Sequence, residues 1–375
     1  MMKEFAKNHE EIQLDIIRDL CRIPAPTFGE RRRAEYCKAY FESIGATGVY
    51  IDEINNVIFP LNCEGSNEIT VLAAHTDTVF PDTEFYPELR EDEERIYCPG
   101  VGDDTACVAA VMLTAKYFLE NKISPKGGIL FVCNSCEEGL GNLAGTKQLM
   151  KDYEGRVKQF VTVDANTGNA VNMAVGSHRY EVVAETEGGH SFSKFGNKNA
   201  IAALSEVISA IYRITPPKKE NTVTTYNVGV IEGGTSINTI AQSAKMLCEY
   251  RSNDRECLEI MKSEFERIFA EASTAETKLT VTLVGNRPCK GDVDPVAEAA
   301  LIDAYRQAVM VVLDRDIKLF MASTDANIPM SMGIPAIDIG SRINVGSHRR
   351  EEYVEKDSLV PGLEIVIRTA LNLTK

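Results

Sequence analysis

Short apolar runs bounded by turn or polar residues recur along the chain: Val71-Leu72-Ala73-Ala74, Ile129 to Cys133, Phe160-Val161-Thr162-Val163 and Ile337-Asp338-Ile339-Gly340. Runs of this length read as buried strands, and strands of a parallel sheet take this form because both faces are covered. Between them the pattern turns helical. Residues 5–22 and 30–45 predict two helices broken by Ile23-Pro24-Ala25-Pro26-Thr27, and helices are also predicted over 105–120 and 142–151. Val49 to Pro60 predicts a strand pair turning at Asn55-Asn56, and 81–97 predicts a polar, acidic surface excursion. The alternation is that of an α/β fold with a mostly parallel sheet flanked by helices.

The rhythm changes between Tyr180 and Gly285. Strands are predicted over 180–187, 222–231, 244–251 and 277–284, with helices over 200–214 and from an Asn253 cap to Ala272. The order β-α-β-β-α-β is a split βαβ, ferredoxin-like unit, read as an insertion. The α/β pattern then resumes, with a helix over 295–312, strands over 316–320 and 335–340, and a helix over 357–373. The predicted domains are therefore 1–177 and 288–375, forming one catalytic domain, with 178–287 inserted.

Composition narrows the function. A chain of 375 residues exceeds one compact core. The 44% hydrophobic and 25% charged fractions are those of an ordinary soluble protein. A net charge of −15 argues against nucleic acid or an anionic membrane surface as partner. Met1 to Cys21 is charged and amphipathic, which is not a signal peptide, and no stretch has the length of a membrane span. Ten scattered cysteines, several inside apolar runs, predict reduced thiols in a cytoplasmic protein. Cys133-Asn134-Ser135-Cys136 has C-x-x-C spacing, but it ends a strand and has no second pair at zinc spacing.

The apolar runs acquire chemical meaning from the polar residues at their carboxyl ends. His75 and Asp77 come after the first, Glu137 and Glu138 after the second, Asp164 after the third, and His348 shortly after the fourth. Asp103 and Asp104 come after Pro99-Gly100-Val101-Gly102, read as another strand end opening a helix. Ligand sites of open α/β sheets lie outside the carboxyl ends of the strands, so these side chains converge on one crevice. Imidazole and carboxylate donors without thiolate suit hard or borderline divalent metals. His75 and Asp77 share a face of an extended segment. Adjacent carboxylates such as Asp103 and Asp104 repel unless a cation is present, although one of them could cap the helix. Glu137 and Glu138 can face different ways, one as ligand and one as general base. Of the other histidines, His9 reads as surface, His178 has no assigned role, and His190 lies in a Gly-flanked loop of the insert.

These motifs together resemble the dizinc metallopeptidase family of peptidase T, carboxypeptidase G, aminoacylase and succinyl-diaminopimelate desuccinylase, and most closely its peptidase T-like branch. The resemblance rests on His75-Thr76-Asp77, Gly102-Asp103-Asp104, Cys136-Glu137-Glu138-Gly139, Thr162-Val163-Asp164, Gly189-His190-Ser191, Ser323-Thr324-Asp325 and His348 with Glu352-Tyr353-Val354. It implies a zinc-exopeptidase-like fold whose insert is a lid or dimerisation domain. The partners it implies are small peptides or N-acyl amino acids as substrates, and a second copy of the chain. It implies two zinc ions, replaceable by cobalt or manganese. His75 and Asp164 would hold one and Glu138 and His348 the other, with Asp103 shared and its peptide to Asp104 cis. Glu137 would be the base, Asp77 the partner orienting His75, His190 the oxyanion donor, and Asn238 and Arg251 the holders of a substrate carboxylate.

The chain departs from the family pattern at Thr105, where a Lys is usual, at Phe192, where a small residue is usual, and at Ala322-Ser323. None of these is a ligand position, so substrate identity is what they affect. Two other classes compete. A silent scaffold would be expected to have lost a ligand or the base. A dinucleotide site at Gly100-Val101-Gly102 would set two carboxylates against a pyrophosphate.

Overall fold

The computed structural model describes residues 1–80 and 89–375. Two compact units form, one from Met1–Ala174 with Gly291–Lys375 and the other from Val175–Lys290.

The first unit is built on an eight-stranded mixed sheet. Its strands run edge to edge as Tyr50–Ile51, Val57–Leu61, Ile129–Asn134, Ile69–His75, Val157–Asn166, Ala336–Arg342, Asn169–Ala174 and Lys318–Ala322. The four from Ile129–Asn134 to Ala336–Arg342 are mutually parallel, so their carboxyl ends share one side. Alternation along them feeds two cores. Leu72, Ala74, Phe131, Cys133, Val161 and Val163 face one cluster, and Val71, Ala73, Leu130, Val132 and Phe160 the other. The Ala106–Glu120 helix lies within the first cluster with its apolar positions buried nearly all round, as a central helix must.

The structure departs from the sequence expectations in several places. Residues 99–102 form no strand: Val101–Thr105 is a wide helical turn leading into Ala106–Glu120. The predicted surface excursion falls partly on 81–88, outside the described residues. Its remainder is an antiparallel pair, Arg90–Glu91 with Arg95–Tyr97, and Ile96 is fully buried. Asn169–Ala174 is a strand that the sequence pattern did not flag. His9 is half-buried, its ring stacked on Phe5 at 3.9 Å. Among the described residues no helix is long and apolar enough to cross a membrane.

The second unit is a four-stranded antiparallel sheet in the order Thr224–Gly233, Ser243–Ser252, Gly176–Thr186, Thr277–Arg287. Helices Ala200–Ile211 and Arg255–Ala272 pack on it around Leu204, Val207, Met246, Tyr250, Met261 and Phe265. This is the β-α-β-β-α-β order read from the sequence. The cap of the second helix is Asp254, not Asn253: Asp254 accepts from Cys257 N at 2.8 Å, while the Asn253 side chain accepts from Val223 N. His178 belongs to this unit, with its Nδ1 paired to the Tyr250 hydroxyl.

One surface cluster gives a pH prediction. Arg18 donates to the Glu91 carboxylate from Nε and Nη2 at 2.9 and 2.8 Å, and Lys356 Nζ lies 2.5 Å from it. The Arg18 hydrogen bonds, helped by Lys356, hold Glu91 down at about 2. A carboxylate depressed by folding stabilises above its unfolded value and loses that contribution as pH falls through its folded value. Glu91→Gln is expected to cost on the order of 1 kcal/mol at pH 7. Thermal melts should find the gap narrowing as pH falls from 4.5 to about 2.

Candidate metal centre

The shared side of the parallel strands gathers the acidic residues. His75 ends its strand, Asp164 lies near the end of Val157–Asn166, and Glu137 and Glu138 come just after Ile129–Asn134. His348 lies beyond Ala336–Arg342 at φ +64°. Asp103 arrives from the Val101–Thr105 turn, which Gly100 enters at φ +75°, a conformation suited to glycine. The Asp103–Asp104 peptide is cis, as the resemblance implies. Neither aspartate caps the next helix, whose start has no side-chain cap. Asp104 instead accepts from the His75 main-chain N–H at 3.1 Å.

The Asp103 carboxylate stands between two imidazoles. Its Oδ1 is 3.1 Å from His75 Nε2, and its Oδ2 is 3.3 Å from His348 Nε2. His348 Nε2 is also 3.3 Å from Glu138 Oε1, and Asp164 Oδ2 is 3.9 Å from His75 Nε2. Donor atoms of His75, Asp103 and Glu138 lie within 4.8 Å of one another, and so do those of His75, Asp104 and Asp164. His75, Asp104, Glu137 and Glu138 are buried, whereas the His348 side chain is 59% exposed.

Charge is concentrated here. Burial pulls His75 down, yet Asp103 and Asp77 hold it well above its ordinary range. Hydrogen bonds that its ring N–H donates to the Asp103 and Glu138 carboxylates lift His348 to about 10. Burial and then Asp103 raise Glu138 to about 7, and burial with Asp104 and Asp103 lifts Asp164 far above a normal carboxylate. Asp104 is raised well above normal, chiefly by burial, and its Oδ1 is buried with no hydrogen-bond partner. The Arg342 guanidinium stands 3.9 Å from that oxygen, and the convergence of His75, Asp103 and Glu138 donors in so acidic a site fits a divalent cation.

Supporting residues fix this arrangement. Asp77 is fully buried and accepts from Glu137 N at 2.9 Å, Glu138 N at 3.0 Å and Thr27 Oγ1 at 2.9 Å. His75 Nδ1 lies 3.1 Å from the Asp77 carbonyl and 3.5 Å from its carboxylate. Asp77 therefore holds His75 and the Glu137–Glu138 turn together. Asp77→Ala is expected to cost about 10–100-fold in metal affinity or turnover, read by zinc competition and amide hydrolysis; parental values in both would contradict it.

Sequence reasoning gave no role to Arg342, Asp338, Asp325 or Glu352. Buried Arg342 donates Nε to Gly102 O at 2.8 Å and Nη2 to Asp164 Oδ1 at 3.3 Å. Asp338 accepts from Asp164 N at 2.9 Å. Asp325 is buried between Asn134 and Thr146, both of which donate to it. A lone carboxylate inside the apolar run at Asp338 was the available signal.

Comparison with known proteins decides the family. The model of peptidase family M20/M25/M40 matches residues 71–372. The chain belongs to this family. This M20 chain is a metal-dependent hydrolase. It is 24% identical over 344 residues to a succinyl-diaminopimelate desuccinylase of Corynebacterium glutamicum, covering 89% of each chain. Solved structures share its fold. Aminopeptidase PepT of Bacillus cereus does so with TM-score 0.73 and 20% identity, over 98% of this chain and 99% of that one. The Bacillus subtilis YXEP protein, described as a dinuclear metal-binding peptidase, does so with TM-score 0.66 and 16% identity, over 98% and 99%.

The other candidates of the M20 chain lie in Val175–Lys290. Gly189–His190 pairs with Thr239–Ile240, and Ser191 N donates to Asn238 O at 2.9 Å, so His190 and Asn238 are neighbours. His190 is exposed. Arg251 lies on the larger sheet and gives Nε and Nη2 to Glu249 at 2.8 and 3.0 Å. Two of its five donors are thus engaged within its own strand.

Proposed function

We propose that this M20 chain is a two-zinc hydrolase of amide bonds in small peptides, with cobalt or manganese as alternative metals. The observation that carries the reading is the Asp103 carboxylate, one oxygen 3.1 Å from His75 and the other 3.3 Å from His348. A carboxylate so disposed suits a shared ligand. His75, Asp103 and Asp164 would hold one ion, and Asp103, Glu138 and His348 the other.

When bound, such a metal pair supplies Lewis acidity, lowering the pKa of a water and polarising the scissile carbonyl. Glu137 takes the proton of the attacking water on a carboxylate oxygen and returns it to the leaving nitrogen. Asp77 keeps Glu137 in register through its main-chain N–H. His190 donates a ring N–H to the carbonyl oxygen as negative charge develops on it. Asn238 and the remaining donors of Arg251 hold the substrate carboxylate. We further assign a cytoplasmic location, supported by ten free, buried cysteines, and a homodimer joined through Val175–Lys290, supported by the family resemblance of that unit.

The likeness to a desuccinylase favours a second reading, hydrolysis of N-acyl amino acids. Zinc-loaded protein incubated with dipeptides, tripeptides and N-acyl amino acids separates the two. Free amino acid released from free-amine peptides, and abolished by chelator, is the expected result. Release from N-blocked substrates alone would select the second reading. No release from any substrate by zinc-bound protein would leave a silent binding protein.

A further inference from the structure

The segment carrying His348 also carries a fully buried carboxylate, Glu352. It sits at the end of Arg349-Arg350-Glu351-Glu352, a charge run of the kind that is usually solvated. Its first three residues are exposed, but Glu352 turns inward. Its Oε2 accepts from Gly100 N at 2.7 Å, and its Oε1 from Gly102 N at 3.0 Å and Asp103 N at 2.8 Å. One side chain thus receives three main-chain donors from the turn that presents Asp103.

Its main chain is tied to the other side of the centre. Glu352 N donates to Arg349 O at 3.2 Å, closing the loop that carries His348, and Cys98 N donates to Glu352 O at 3.2 Å. Tyr353 and Val354 then pair with Tyr97 and Ile96. Three main-chain N–H donors on one carboxyl group, spread over Gly100, Gly102 and Asp103, fix the turn against rotation.

We propose that Glu352 is a positioning residue for metal binding, coupling Asp103 to His348 so that both donors reach the same ion. The inference rests on the ligand set proposed above. Glu352→Gln keeps the shape but replaces one acceptor oxygen by an N–H₂ group. With its oxygen toward Gly102 and Asp103, that group faces the Gly100 N–H, donor against donor. Glu352→Asp keeps the charge but is one methylene shorter.

The test is zinc affinity, measured by competition with a chromogenic chelator at a temperature where circular dichroism reports all proteins folded, alongside kcat and KM. Glu352→Gln is expected to bind zinc about 10–100-fold more weakly, with kcat at saturating zinc reduced and KM near the parental value. Glu352→Asp should recover part of the affinity. A lowered melting temperature with parental zinc affinity and kcat would overturn the proposal, leaving Glu352 a purely structural residue. If the Gln variant fails to fold, the Asp variant decides alone: weakened zinc binding supports the proposal and parental binding overturns it. A parent protein that binds no zinc would overturn this inference together with the metal reading beneath it; a zinc-binding parent matched by both variants would overturn this inference only.

Discussion

Glu137→Gln is expected to bind zinc as the parent does and to hydrolyse amides about 10²–10⁴-fold more slowly, the range a positioned acid–base group contributes. The change removes a proton acceptor and keeps the size of the side chain. Glu137 is nearly fully buried, and its main-chain N–H donates to Asp77 at 2.9 Å, a bond the substitution leaves in place. The neighbouring Glu138, 3.3 Å from His348, is untouched. The loss should fall on kcat, because the proton moves in the transition state and not on binding. Steady-state kinetics with zinc per chain measured on the same samples checks it. Unchanged turnover would remove Glu137 as the base, and lost zinc would make it a ligand.

Asp103→Ala is expected to strip zinc from both positions and abolish turnover. Asp103 touches both imidazoles, and burial alone would raise it, yet His348 and His75 together hold it far below a normal carboxylate. Removing it deprives each proposed ion of a donor and leaves Asp104, Glu138 and Asp164 to repel one another across a buried site. Elemental analysis after dialysis reads the result. Loss of a single equivalent would deny the shared role and make the two positions independent. Asp103→Asn, with nearly the same size and no charge, separates the loss of charge from the loss of a side chain.

Much of this centre was legible in sequence because its donors sit where apolar runs stop. The Val71–His75 and Ile129–Asn134 runs are buried at every position, and a side chain at such an end has to meet the crevice. The reading of Asp103 as a strand-end residue does not hold. Val101 is apolar and buried, but Gly100 turns the chain there and no strand forms. The strand Asn169–Ala174 escaped notice because it is short, mixed in composition and starts directly after Gly168.

The supporting charges were harder to read. Arg342 and Glu352 lie in a stretch with five charged residues between 342 and 352, which looks like solvated surface. Their burial depends on main-chain groups of a turn some 240–252 positions away. Nothing local encodes that. The traces available are the Glu352-Tyr353-Val354 motif and the alternation of fully buried Glu352, just before the Tyr353–Glu355 strand, with fully buried Val354 within it. The insert was easier, because each of its strands and helices carries its own period.

A metal-dependent amide hydrolase whose two ions share Asp103 is tested most directly by titrating zinc into chelator-stripped protein. The rate of peptide hydrolysis is read at each step, together with zinc per chain. The predicted result is no hydrolysis without metal and a rate that reaches its plateau only as the second equivalent binds. Full hydrolysis in the presence of chelator, or a plateau at one equivalent with the second site never filling, would contradict it.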